Sequence, residues 1–252
     1  YFQALRQKGY NKQYKFLQHF KQRQAILELE LLLSKAKSDN SQLIQIEIPM
    51  GIQELNDEAF SNCSSLTQIT IPSSVTSIGQ SCFSSCSSLT QITIPSSVTS
   101  IGQSCFSDCS SLTQIIIPSS VTSIESQCFS HCYSLIQITM PSSITSLGDL
   151  CFAWCTSLSD ITIPSSVTSI GHFCFSGCSS LTQIIIPSLV TSIGTKCFRS
   201  CTSLKKITIN STSLAFSKEP FSKCKKLKTI IIPKGLKIDK SLVPFRTKVR
   251  KI

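Results

Sequence analysis

Residues Leu66 to Ser88 read LTQITIPSSVTSIGQSCFSSCSS, and this phrase is repeated with small changes nine times between Leu43 and Val249. Leucine returns every 23 residues without an insertion, at Leu43, Leu66, Leu89, Leu112, Leu135, Leu158, Leu181, Leu204 and Leu227. Phenylalanine keeps the same beat from Phe60 to Phe221, and proline does so from Pro49 to Pro233 with Asn210 in the one remaining place. A uniform short period means stacked coils. One such unit cannot bury its own apolar face, and stacking it on its neighbours makes a continuous core.

Inside the unit, Leu66, Ile69 and Ile71 place apolar residues in the alternation of a half-buried strand. Pro72 removes a ladder donor and ends the strand. Val75, Ile78 and Phe83 fall at roughly helical or 3₁₀ spacing, which predicts a tight return leg rather than a long helix. The whole unit, L-x-x-I-x-I-P-x-x-V-x-x-I-x-x-x-C-F-x-x-C-x-x, resembles the BspA-like leucine-rich repeats over about 43–249. The resemblance implies an α/β solenoid: a right-handed leucine-rich-repeat arc with a concave parallel β-sheet, a short 3₁₀ or turn convex side and an N-terminal helical cap. It also implies a protein of bacterial or protist type, often exposed on the cell surface. One departure stands out. That family usually carries alanine before the phenylalanine; here Ala59 is the one alanine in that place, and cysteine stands there in six coils, as Cys82, Cys105, Cys128, Cys151, Cys174 and Cys197.

The expected organisation is a tag remnant at 1–3 (Tyr1-Phe2-Gln3), a helical cap at 4–42, eight repeats at 43–226, and a last repeat with a basic cap at 227–252. In the cap, Tyr10, Tyr14 and Leu17 share one helical face, and Ala25, Leu29, Leu32 and Ala36 share another. No apolar run approaches the length of a membrane-spanning helix, and the first residues do not read as a signal peptide. The net charge of +11 is unevenly distributed. Residues 1–40 carry 8 basic and 3 acidic side chains, residues 41–204 carry 2 and 8, and residues 205–252 carry 14 and 2.

Fourteen cysteines invite a disulfide or metal reading. Their phase argues against both, since they occupy two repeated columns like the leucines, where cysteine acts as a small hydrophobe with a weak S–H donor. No histidine falls in phase to complete a zinc site. Free buried thiols fit a reducing compartment, against the surface exposure that the resemblance implies. No cofactor and no catalysis are expected. His19, His131 and His172 stand apart from any nucleophile and carboxylate, Asp108, Glu125, Asp149 and Asp160 are scattered, and no phosphate-binding glycine loop occurs.

Columns that stay constant over nine coils are core, and columns that vary face solvent. The strand column Gln68, Gln91, Gln114, Gln137, Asp160 and Gln183 is expected on the concave face. Two further columns vary freely: Ser81, Ser104, Gln127, Leu150, Phe173, Lys196, and Ser85, Asp108, His131, Trp154, Gly177, Ser200. Leu150, Trp154 and Phe173 are large apolar residues in these solvent columns and should form one patch, with His131 beside it, for a protein or self-association contact. The lysines Lys205, Lys206, Lys225, Lys226 and Lys228 open a basic patch that continues to Lys251. Such a patch suits an acidic protein or an anionic surface better than nucleic acid, because base-stacking aromatics are lacking. The expected function is a non-enzymatic protein-interaction scaffold. Alternatives are a surface adhesin or antigen and a regulatory subunit that occludes an enzyme such as a phosphatase.

Overall fold

The computed structural model describes Phe20, residues 23–28, Leu31 and residues 43–252. Residues 43–252 form a solenoid of parallel coils. Most coils contribute a three- or four-residue strand whose central isoleucine is buried between more exposed residues, as at Gln68–Thr70. Strands of successive coils pair in parallel with a 23-residue shift, so that Gln45 lies beside Gln68 and Gln114 beside Gln137. The exact repeat therefore sets the register, because a one-residue slip would put isoleucine in water.

After the proline, the Val75 N–H donates to the Pro72 carbonyl at 3.1 Å, which closes a turn. The return leg then adds a two-residue parallel strand, Ser77–Ile78, paired with Ser100–Ile101 of the next coil. Within the repeats, Val75 and Ile78 thus flank a turn and a short strand; the single 3₁₀ helix among the described residues is Lys240–Leu242, after the last full coil. The third side of each coil is held by a further ladder. The N–H groups of Ser81, Phe83 and Ser85 donate to the carbonyls of Gln103, Cys105 and Ser107 at 2.8 to 2.9 Å.

The core is a set of columns running along the stack. Phe60, Phe83, Phe106, Phe129, Phe152, Phe175 and Phe198 are fully buried, with rings stacked at 5.4 to 5.6 Å along the run; the last step, to Phe221, opens to 6.0 Å. All fourteen cysteines are free and buried among them. Every side-chain hydroxyl or amide buried within the described residues has a partner. Surface hydroxyls also join coils: those of Thr99, Thr145, Thr168 and Thr191 each donate to the carbonyl of the equivalent residue one coil earlier at 3.1 to 3.3 Å, and the N–H groups of the same residues donate to the same carbonyls at 2.8 to 2.9 Å.

Two interruptions have residue-level descriptions. The short strands pair in one group from Glu54–Leu55 to Ser100–Ile101 and in another from Ser123–Ile124 to Ala215–Phe216. The break falls at Glu125, which stands where other coils have Gly79, Gly102, Gly148, Gly171 and Gly194. A Cβ added at Gly102 would lie 2.5 Å from the Gln80 nitrogen, so a side chain here pushes neighbouring coils apart. Gly102 and Gly148 each donate to the preceding coil at 2.9 Å, and Glu125 has no equivalent bond. The longer strands are interrupted at Asp160–Ile163, the coil in which Ser159 and Asp160 replace the usual threonine and glutamine. At the far end, Lys248–Lys251 pairs with Thr229–Ile232 after only nineteen residues, so the last coil is shortened.

Of the expected helical cap, Phe20, residues 23–28 and Leu31 are helical, and Ala25 is buried in the common core. Tyr10, Tyr14, Leu17, Leu29, Leu32 and Ala36, and residues 1–3, expected as a tag remnant, lie outside the described residues.

Candidate functional site

The two variable columns share a backbone property. From Glu58 and Asn62 to Glu219 and Lys223, all their residues have positive φ, between 49° and 64° for the non-glycine residues and 80° for Gly177. These left-handed residues flank the buried phenylalanine of each coil and the residue before it, a cysteine in six coils. Their N–H groups, with that of the phenylalanine between them, make the inter-coil ladder on this side. The conformation costs an ordinary L-residue about 1 kcal/mol and is least suited to bulky side chains. Asn62, Asp108 and Gly177 are residues that tolerate it. Leu150, Trp154 and Phe173 are not.

Leu150 and Phe173 are half-buried in successive coils of one column, and the Leu150 N–H donates to the His172 carbonyl at 2.8 Å. Trp154 is 47% exposed in the neighbouring column. Its indole lies across Gly177 of the following coil, where an added Cβ would come within 2.8 Å of Cδ2 and Cε3. His131, one coil earlier, sits 3.8 Å from Asp108 and packs in a T-shaped contact with Tyr133, ring centroids 5.8 Å apart. Tyr133 is 44% exposed. It was not among the expected contact residues, although it is the one aromatic in a column of serine and threonine at Ser64, Ser87, Ser110, Thr156, Ser179 and Thr202. The left-handed edge therefore carries His131, Tyr133, Leu150, Trp154 and Phe173 over three adjacent coils.

The strand face holds Gln68, Gln91, Gln114, Gln137, Asp160 and Gln183, all exposed. No hydrogen bond joins one glutamine side chain of this column to the next among the described residues, so these amides are open to solvent. Exposed Ile116 and Ile185 replace threonine in the adjoining column, and Ile116 borders a shallow depression of about 300 Å³ between Gln91, Thr93, Ser96 and Gln114.

The cysteine columns are chemically quiet. The Cys86, Cys109, Cys132, Cys155, Cys178 and Cys201 thiols each donate to the phenylalanine carbonyl of the preceding coil at 3.1 Å, and Cys224 does so at 2.9 Å. Burial pushes the Cys82 and Cys128 thiols up to about 12 and those of Cys105, Cys109, Cys132 and Cys155 well above the ordinary thiol range. A thiol that stays protonated is a poor nucleophile and a poor metal ligand.

At the C-terminal coils, Lys205, Lys206, Lys225, Lys226 and Lys228 are exposed. The Lys228 N–H donates to the Lys205 carbonyl at 3.0 Å, which sets these two on successive coils. Lys206 continues the glutamine column beside Gln183. Among the described residues the ion pairs are His131–Asp108 and Lys196–Glu219, both at 3.8 Å, so this patch is unneutralised.

Comparison with known proteins matches the chain to the BspA type leucine rich repeat region over residues 34–159 and 145–247. A leucine-rich repeat protein from Bacteroides ovatus is 31% identical with a TM-score of 0.64, covering 82% of this chain and 60% of its own. A leucine rich cell surface protein from Faecalibacterium prausnitzii is 29% identical with a TM-score of 0.51, covering 82% and 63%. The pneumococcal vaccine antigen PcpA, 20% identical with a TM-score of 0.51 over 83% and 63%, shares the fold. The chain thus spans less than two thirds of the length of each of these proteins. No curated protein matches it.

Proposed function

We propose that this chain, which belongs to the BspA-type leucine-rich repeat family, is a non-enzymatic protein-interaction scaffold that binds through its left-handed edge at Leu150, Trp154 and Phe173, with His131 and Tyr133 alongside. One observation carries the reading. Three bulky apolar residues in two adjacent coils occupy backbone positions that favour glycine or asparagine, so their presence works against folding at places where Trp154 is exposed and Leu150 and Phe173 are only half-buried. Strained residues of this kind persist where something other than stability retains them. Tryptophan and other aromatics are also the side chains that most often anchor protein contacts.

The adhesin-like reading has a narrower support, the Faecalibacterium prausnitzii protein described as a cell surface protein. Both readings use the same edge. Replacing Trp154 and Phe173 by serine is the test, read by capture of protein partners and by mass in solution. The expected result is at least a tenfold loss of captured partner or of self-association with the fold retained. Unchanged capture and unchanged mass would remove the left-handed edge as the contact surface.

A further inference from the structure

The shortened last coil of the described residues presents a surface unlike any other part of the solenoid. After Thr229–Ile232 the chain crosses the end of the stack, where Leu236 is buried and Ile238 and Val243 pack against the core, and returns as the strand Lys248–Lys251. That strand is the outermost of its sheet, and all four of its residues are exposed. Residues 233–252 hold Lys234, Lys237, Lys240, Arg246, Lys248, Arg250 and Lys251 against a single acid, Asp239. None of these cations belongs to an ion pair. Among them in sequence stands Phe245, 92% exposed, the most exposed large hydrophobic side chain among the described residues, with Val249 37% exposed four residues on.

We infer that this C-terminal end face seats the solenoid on an anionic phospholipid surface, with Phe245 entering the headgroup layer and Lys248, Arg250 and their neighbours meeting lipid phosphates and carboxylates. The pairing of an outstanding aromatic with surrounding cations selects this occupant. Cations alone would serve any polyanion, but a soluble polyanion leaves Phe245 in water. An acidic protein would need a pocket for it, whereas a lipid interface accepts a single protruding ring and is negatively charged. Lys248 and Arg250 stand on the last strand of the strand face, in register with Thr229 and Ile231, so attachment here leaves the left-handed edge and the earlier coils of the strand face free. The inference is independent of the protein-binding reading, since it uses none of the same residues.

The test is co-sedimentation of the full chain with vesicles of phosphatidylcholine containing about a third phosphatidylserine, against vesicles of phosphatidylcholine alone. Binding is expected only to the anionic vesicles and is expected to weaken as salt is raised. Loss of one cation at an anionic surface weakens attachment about fivefold, so Lys248→Ser with Arg250→Ser should reduce it about 25-fold. Phe245→Ser should reduce it about tenfold while leaving retention on a heparin column unchanged. These residues are exposed, so circular dichroism of each variant should match the parent. Equal binding to both vesicle types overturns the inference. So does anionic-vesicle binding that Phe245→Ser leaves intact, which would assign the surface to soluble polyanions or acidic proteins.

Discussion

The indole of Trp154 covers Gly177 of the next coil so closely that a Cβ there would lie 2.8 Å from the ring. Gly177 also has φ of +80°, so two independent constraints meet at one residue. Gly177→Ala is expected to destabilise the fold by about 1 to 2 kcal/mol, from the left-handed backbone and the displaced ring together. Trp154 is the only tryptophan. Its fluorescence should shift to the red in the same variant as the ring is lifted into water, and an unchanged spectrum would mean that the ring does not rest on Gly177.

The phenylalanine column makes a sharp contrast with that edge. Phe152 is fully buried between Phe129 and Phe175 at 5.6 and 5.5 Å. Phe152→Ala should cost about 3 to 5 kcal/mol in a denaturant titration, through lost transfer energy, the cavity, and two ring contacts. A cost below about 1 kcal/mol would show that neighbouring coils collapse onto the space.

The thiols make stability depend on alkaline pH in a defined direction. Burial raises Cys82 and Cys128 to about 12, while a cysteine in the unfolded chain ionises near about 8.5. The folded pKa lies above the unfolded one. The contribution is therefore complete below the unfolded value and is lost as pH rises from there towards about 12, at about 1.4 kcal/mol per thiol per pH unit. The urea midpoint at pH 10 should fall well below that at pH 7.5, and Cys82→Ala with Cys128→Ala should lessen the drop. A midpoint that does not move between these pH values would contradict the burial of the thiols.

Glu125 separates two groups of short strands because its Cβ occupies a place where Gly102 and Gly148 fit against the preceding coil. Glu125→Gly should restore the missing inter-coil hydrogen bond and join the groups. The expected gain is about 1 kcal/mol, the usual worth of such a bond, with slower amide exchange at residues 122–125. Unchanged exchange would mean that the break has another origin.

The columns of leucine, isoleucine, phenylalanine and cysteine were legible in the sequence because a period of 23 residues prints the core directly. The same period located Leu150, Trp154 and Phe173 as exceptions in solvent columns. What the pattern concealed was the backbone beneath them. Serine, glutamine, glutamate and lysine fill nine of the sixteen left-handed positions in the two columns and carry no conformational signature; only Asn62, Asp108 and Gly177, in one column, hinted at it. The seven thiol–carbonyl bonds were equally hidden, since a column of cysteine reads the same whether its sulfur donates or merely fills space. The short strand at Ser77–Ile78 escaped because two residues give no alternation to read. Tyr133 was missed although its column is otherwise small and polar up to Thr202, a contrast as plain as that of Trp154.

The account rests on the claim that Leu150, Trp154 and Phe173 are retained for contact rather than for folding. Its most direct test is the free energy of unfolding of Leu150→Gly, Trp154→Gly and Phe173→Gly, measured beside Phe152→Ala. Relief of the left-handed backbone, about 1 kcal/mol each, should offset most of the lost partial burial and the added freedom of the unfolded chain, leaving each glycine variant within about 1 kcal/mol of the parent. A loss of about 3 kcal/mol or more at these positions, comparable to that at Phe152, would make them core residues and contradict the account.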